Sequence, residues 1–302
     1  MKFTAFFKLI RWKNLLLILY TLLLIRLLVF NSFNISLNLS LIQFIILIVS
    51  ILLITAAGYI INDIYDIKTD LINKPSKIIV TKYFSVEQAR QFYLILNTFG
   101  IILGIGLSLN IEKPTFSLIF IGASLLLYYY SKKLKLRPLV GNIVVSFLVA
   151  CSIITLVVFD IYYSIQTKTQ QLISNVLLML SLFAFFLTII REIIKDIEDI
   201  NGDYNLNMRT LPILIGKKRT KKIALILCII PISLLLYIIL NYATIYQFTV
   251  LYLLLFTFIP LFYVALKLFS ANSMKDYKKI SLILKIIMFL GINSLIFFSF
   301  NI

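Results

Sequence analysis

The stretch "LLITAAGYIINDIYDIKTD", residues 52–70, starts as unbroken apolar sequence and then sets one asparagine and three aspartates within nine residues, 62–70. Upstream, the apolar character reaches back to about residue 40, enough for a membrane-spanning helix, which needs about 20 mostly apolar residues. The acidic half therefore marks where a helix leaves lipid. Carboxylates at such a place are either solvated ends or the makings of a site.

Composition extends the first reading to the whole chain. Of 302 residues, 61% are hydrophobic, and the mean hydropathy is +1.03; soluble proteins lie near 45–50% apolar. Spanning runs are predicted at about 14–31, 40–61, 91–109, 115–130, 139–159, 172–190, 223–241, 247–268 and 280–300. The fourth is short and fits a tilted or partly buried helix. The first is too long for a signal peptide, and "NSFNISLNLS" after it lacks a small-residue cleavage site. Without a linker rich in Pro, Gly or Ser, residues 1–302 are expected to form one all-α membrane domain of about nine helices.

The net charge of +17 resembles a nucleic-acid signal until it is mapped. With the N-terminus inside, 25 of the 29 Lys and Arg fall in the inner segments 1–13, 62–90, 131–138, 191–222 and 267–279. Cations retained on the cytoplasmic side set topology. The expectation is thus a multi-pass protein of a prokaryotic cytoplasmic membrane, its N-terminus and acidic clusters on the cytoplasmic side, with no nucleic-acid partner. Arg26 and Lys285 lie near helix ends and are expected to snorkel to the interface. Cys151 and Cys228 fall within spans and show no pairing or metal spacing, which marks them as packing residues. The chain has no histidine, which excludes His-ligated zinc, haem and His-based acid–base chemistry.

The acidic stretch has an echo. In "REIIKDIEDINGD", residues 191–203, Asp196, Asp199 and Asp203 each follow Asp63, Asp66 and Asp70 by the same offset of 133 residues. Both triplets follow an even-numbered span, as a duplicated four-helix unit would produce. On a helix continuing from the membrane, residues at i, i+3 and i+7 share a face, so each triplet reads as an acidic stripe, with Asn62 one turn before Asp66. Bare carboxylates stacked this closely repel and would partly protonate. Mg²⁺ removes that problem: it favours carboxylate oxygens, keeps several waters and takes remaining ligands from substrate phosphates. One such motif alone would read as a solvated cap, but eight of the twelve acidic residues lie in these two stretches: Asp63, Asp66, Asp70, Glu192, Asp196, Glu198, Asp199 and Asp203. Cations accompany them: Lys74, Lys77, Lys195 and Arg209, and between the clusters Lys132, Lys133, Lys135 and Arg137. Acid stripes beside basic residues suit a metal-bridged diphosphate.

At this point the motifs resemble those of the UbiA superfamily of intramembrane prenyltransferases. "NDIYDIKTD" matches its NDxxDxxxD pattern and "DIEDINGD" its second acidic motif. "RWKN" (11–14) is similar to its opening RPxN with Trp12 in place of proline, "NKPSK" (73–77) to NRPxRP, and "YSKKLK" (130–135) to YSxxLK. "RTLPILIG" (209–216) is similar to the stretch after the second acidic motif. The resemblance implies nine helices around a central cavity with polar caps. It implies that Asn62, Asp66, Asp70, Asp199 and Asp203 bind Mg²⁺–diphosphate with Asp63 and Asp196 beside them. Arg11, Lys77, Lys133 and Lys195 would contact phosphate oxygens, and Asn14 and Tyr130 would lie near donor or acceptor. Where the family often has "RPLPSG", this chain has "KIIVTK" (77–82), which leaves the path of that loop open.

The implied reaction is transfer of a polyprenyl group from an allylic diphosphate, through an allylic cation shielded in an oily, aromatic chamber. The opening and mid-chain motifs are most similar to the branch acting on geranylgeranylglycerol phosphate, in ether-lipid synthesis. Aromatic acceptors of quinone synthesis (4-hydroxybenzoate, dihydroxynaphthoate, homogentisate) are the alternative. A secondary transporter would carry ionisable groups at mid-membrane, and a non-catalytic scaffold would not need paired acid stripes. The sequence leaves the oligomeric state open.

Overall fold

The computed structural model describes residues 2–73, 75–161, 167–205 and 208–300. Among the described residues, nine helices are long and apolar enough to cross a membrane: Trp12–Phe30, Leu41–Tyr65, Val86–Asn110, Pro114–Lys132, Val140–Asp160, Lys168–Glu198, Lys217–Tyr242, Gln247–Ser270 and Met274–Ser299. All nine predicted runs are helices. Most ends lie beyond the predicted run, because helices continue past the apolar run into polar sequence. The sixth is 31 residues long and carries its last turns to Glu198, and the third begins at Val86. That early start is a capping box, with Ser85 accepting from Gln88 N–H and the Gln88 side chain accepting from Ser85 N–H. Ser40, Thr167 and Ser273 begin the second, sixth and ninth spans in the same way.

The chain folds as two compact units. The first comprises Met1–Tyr20, Asn38–Val144 and Asn201–Met208; the second comprises Thr21–Leu37, Val145–Ile200 and Arg209–Ile302. In the first unit, the second span packs along the third and fourth. Ser50 Oγ donates to the Gly100 carbonyl at 2.6 Å across that seam, the kind of polar tie that joins helices where lipid supplies no hydrophobic drive. A short N-terminal helix, Lys2–Leu9, precedes the first span. Its Ala5 and Leu9 are buried with Ile60, Val80, Phe84 and Ala89. Val80 and Phe84 come from the loop whose path the sequence left open. "KIIVTK" makes a tight turn around Thr81, φ +79°, with Thr81 N–H donating to the Phe84 carbonyl at 2.8 Å. Val80, in place of a proline, and Phe84 thus pin this loop onto the N-terminal helix.

In the second unit, the sixth span packs against the seventh and ninth. Here one expectation fails. Arg26 does not snorkel: it is 5% exposed, and its Nη1 donates to both Asp160 carboxylate oxygens at 3.0 and 2.8 Å. The first span turns π-helical over Ile25–Phe30, and Arg26 lies in that wider turn. A buried carboxylate at the end of the fifth span supplies the counter-charge that hydrocarbon cannot.

Candidate active site

The second span ends with Asn62 and Asp63 in its last turn. Its α-helix stops at Tyr65, and Asp66 caps it with φ −91° and ψ 1° before a new short helix, Ile67–Asn73, carries Asp70. The sixth span repeats this 133 residues on. Asp199 caps it with φ −94° and ψ 5°, and the short helix Ile200–Asn205 carries Asp203. The sequence echo is therefore also a backbone echo. It corrects one detail: each triplet lies across a break, not on one continuous helix, with Asp66 and Asp199 at the bend.

Around the first bend the side chains form two linked ion pairs. Lys135 Nζ donates to Asp66 Oδ1 at 2.6 Å and to Asn62 Oδ1 at 3.3 Å, while Asn62 Nδ2 donates to Asp66 Oδ2 at 2.7 Å. Lys135 comes from the 3-10 turn Leu134–Leu136 that follows the fourth span. That turn lies against Gly141, where an added Cβ would sit 2.8 Å from Lys135 Cα, so only glycine lets the turn approach this closely. The second pair joins Arg11 Nη2 to Asp63 Oδ1 at 2.9 Å. Arg11 sits between two helices with φ +51°, a left-handed conformation unusual for a residue with a side chain. Its guanidinium lies 4.8 Å from the centroid of the Tyr59 ring, and Asn14 Nδ2 donates to Tyr59 Oη at 3.3 Å. Desolvation by its surroundings works against the Arg11 charge, but Asp63, Tyr59 and Tyr130 outweigh it and hold the pKa above the ordinary guanidinium value.

The second acidic segment contributes to the same unit. Asp203 is buried, and beside it Gly202 N–H donates to Asn73 Oδ1, at the end of the short helix carrying Asp70, at 2.9 Å. The first unit thus brings together Arg11, Asn14, Asn62, Asp63, Asp66 and Tyr130 around the bend, and seats Asp203's segment on the helix of Asp70.

Asp196, Asp199, Lys195 and Arg209 belong to the second unit. There Lys195 Nζ donates to Glu192 at 2.6 Å, and Arg191 binds the same carboxylate oxygen at 3.1 Å. Arg209 is exposed. Lys133 is exposed at the end of the fourth span, and it is Lys135, two residues on, that reaches Asp66. The "SKKLK" run announced a cation here but not which one. The Lys77 side chain and Lys74 lie outside the described residues.

Among the described residues no three His, Cys, Asp or Glu side chains converge closely enough to hold an ion on their own. The donors that do gather, Asn62 Oδ1 and the Asp63 and Asp66 carboxylates, are all hard oxygens. They fit Mg²⁺, which is commonly held by one or two carboxylates with waters and substrate phosphates completing its shell.

Nine membrane-spanning helices, with carboxylates and cations paired at the break that ends the second span, suit an intramembrane enzyme for an anionic substrate. The chain belongs to the UbiA prenyltransferase family, whose model matches residues 23–292. A relative from Saccharolobus solfataricus, named digeranylgeranylglyceryl phosphate synthase, is 36% identical over 250 residues, covering 82% of this chain and 83% of that protein. A solved structure concerned with digeranylgeranylglyceryl phosphate synthase in membranes is similar with a TM-score of 0.60 at 24% identity, over 98% of this chain and 99% of that one. A UbiA homologue from Archaeoglobus fulgidus, solved bound to GPP and Mg²⁺, is similar with a TM-score of 0.57 at 17% identity, over 96% of this chain and 99% of that one. These likenesses carry the fold.

Proposed function

We propose that this protein transfers a polyprenyl group from an allylic polyprenyl diphosphate to the free hydroxyl of geranylgeranylglycerol phosphate, releasing diphosphate in a Mg²⁺-dependent reaction. The observation that carries the reading is the paired arrangement Lys135–Asp66–Asn62 and Arg11–Asp63 at a helix break. Carboxylates ready for a metal alternate there with cations ready for phosphate oxygens. The name of the Saccharolobus solfataricus relative supports the acceptor, and the Archaeoglobus fulgidus homologue bound to GPP and Mg²⁺ supports donor and metal.

Asn62, Asp63, Asp66 and Asp70 would hold Mg²⁺, with Asp196, Asp199 and Asp203 assigned the same role by the internal repeat. When bound, Mg²⁺ supplies charge neutralisation to the diphosphate. Lys135 and Arg11 serve the same end from the protein side. As the allylic C–O bond breaks, its electron pair leaves on the diphosphate, and fixed cations oppose the growing charge by several kcal/mol. Lys77, Lys133, Lys195 and Arg209 are further candidates for phosphate oxygens. Asn14 and Tyr130, beside Arg11 and Tyr59, bound the place where the donor's C1 meets the acceptor. The acceptor oxygen forms the new bond to C1 and loses its proton to solvent. The concentration of Lys and Arg in the segments carrying the acidic motifs supports a cytoplasmic position for this site, and residues 1–302 act as one functional domain.

Purified protein in detergent should consume geranylgeranyl diphosphate only with Mg²⁺ present, and EDTA should stop it. Asp66→Ala and Asp199→Ala should each abolish turnover with thermal unfolding unchanged; activity retained in both would refute the metal assignment. An acceptor panel decides the rest: product from 4-hydroxybenzoate but not from the glycerol phosphate lipid would overturn the acceptor.

A further inference from the structure

The short helix Lys2–Leu9 stands at the end of the second span that carries Asp63, and its three sides differ in kind. Ala5 and Leu9 are buried with Ile60, Val80, Phe84 and Ala89. A helix turns by about 100° per residue, so Thr4 and Lys8 form a second side about 100° from the buried one, and Phe3 and Phe7 a third about 160° from it. Thr4 and Lys8 are exposed. Phe3 is 76% exposed and Phe7 39%. Their rings meet edge to face with centroids 4.9 Å apart. From this pair a ladder of edge-to-face rings runs inward: Phe7 to Phe6 at 6.2 Å, Phe6 to Phe92 at 5.2 Å, and Phe92 to Phe84 at 5.4 Å.

A helix resting on a water-facing surface turns polar residues away from its buried side. Here phenylalanines face away, and the polar side lies between them and the core. That order suits a helix at the rim of the protein in the bilayer interface, with protein on one side, lipid opposite and water over the third. The apolar side is also continuous with a surface already assigned to lipid. Two residues separate the helix from the first span, whose Trp12 and Leu16 are exposed. Lys13 Nζ lies 5.8 Å from the centroid of the Trp12 ring, and tryptophan beside lysine at the start of a span marks headgroup depth. Between helix and span, Arg11 holds φ +51°, a conformation that persists only where its surroundings impose it.

We infer that Lys2–Leu9 is an interfacial helix whose partner is the bilayer itself. Phe3 and Phe7 insert among lipid chains in the leaflet on the side of the acidic motifs, and Lys8 rests among the phosphates of that leaflet. Lipid on one side and the core on the other fix the helix, and with it the left-handed turn from which Arg11 reaches Asp63.

The chain has one tryptophan, Trp12, so a single fluorescent reporter can be moved along the helix. The test uses full-length W12F/F3W, W12F/F7W and W12F/T4W in vesicles of phosphatidylglycerol and phosphatidylcholine. The reporters at positions 3 and 7 should emit to the blue of tryptophan in water and resist acrylamide. A lipid with a nitroxide just below its headgroup should quench them more than one with a nitroxide at the chain end. The reporter at position 4 should behave oppositely, open to acrylamide and little affected by either lipid. Reporters at 3 and 7 as open to acrylamide as the one at 4 would place the helix in water. Resistance to acrylamide without quenching by either lipid would mean that a second copy or another protein covers the phenylalanines. Either result would overturn the inference, and positions 3 and 7 report independently if one variant fails to fold. In F3S/F7S, amides of residues 2–14 should exchange hydrogen about tenfold faster for each phenylalanine lost from lipid, with Leu41–Tyr65 unchanged. Wild-type exchange over 2–14 would show that lipid does not fix the turn at Arg11. None of these readouts requires prenyl transfer, so their outcome is separate from that of the functional reading.

Discussion

Gly202→Ala asks whether the second acidic segment must be seated on the helix that carries the first. A Cβ at this position would lie 2.5 Å from Asn73 Cγ and 2.6 Å from Asn73 Oδ1. Ordinary carbon contacts start at about 3.5 Å, so the Asn73 amide must retreat by about 1 Å. That retreat breaks the 2.9 Å hydrogen bond from Gly202 N–H to Asn73 Oδ1, whose net worth is about 1 kcal/mol. The Asn73 side chain is only half-buried and can swing toward water, so the fold should survive the change. Activity should lose far more. Asp203 is the next residue and is buried, and a 1 Å misplacement of a group that grips substrate costs about 100-fold. The expected result is a fall of about 100-fold in kcat/KM for geranylgeranyl diphosphate, with a melting temperature in detergent within a few degrees of wild type. Asn73→Ala removes the bond without the clash and should cost about fivefold, the equivalent of one such hydrogen bond. Wild-type turnover in folded Gly202→Ala would refute the claim that this contact seats the site.

Lys135→Met should lower turnover by about 10²–10³-fold, the usual loss for one electrostatic group at a developing anion, while Lys133→Met, an exposed side chain, should change it little; the reverse order in donor kinetics would show that the ion pair to Asp66 is incidental. Arg26→Met removes the guanidinium that neutralises the buried Asp160 carboxylate, at about 3–5 kcal/mol, and should sharply lower the melting temperature in detergent. The double variant R26M/D160L should recover most of that loss, and failure to do so would show that the pair does more than neutralise itself.

Much of this molecule is legible in its sequence because lipid is a stringent solvent. Hydrophobic runs near 20 residues located all nine spans, and where they stopped short of a helix end, as at Glu198, the cause was helix continuing into polar sequence that hydropathy does not count. Offset repetition carried further than expected: Asp66 and Asp199 share not only a spacing but the same capping conformation. The expected continuous stripe failed because helical periodicity assumes an unbroken helix, and each acidic segment bends at its middle aspartate. Arg26 was misread for a related reason. A lone arginine near a helix end looks like a snorkelling residue until its carboxylate partner, 134 residues away, is known.

Sequence by itself determined that this chain lives in a membrane, how many times it is able to cross, which family it belongs to and where its carboxylates cluster. These follow from hydropathy, spacing and residue type, which are local properties. Only the tertiary structure decided that Lys135 and not Lys133 meets Asp66, that Gly202 rests on Asn73, and that Arg26 closes on Asp160. Those partners stand 69, 129 and 134 residues apart. Contact at such separations is set by how helices pack and where turns such as the one beside Gly141 allow backbones to approach, which no periodicity along the chain encodes.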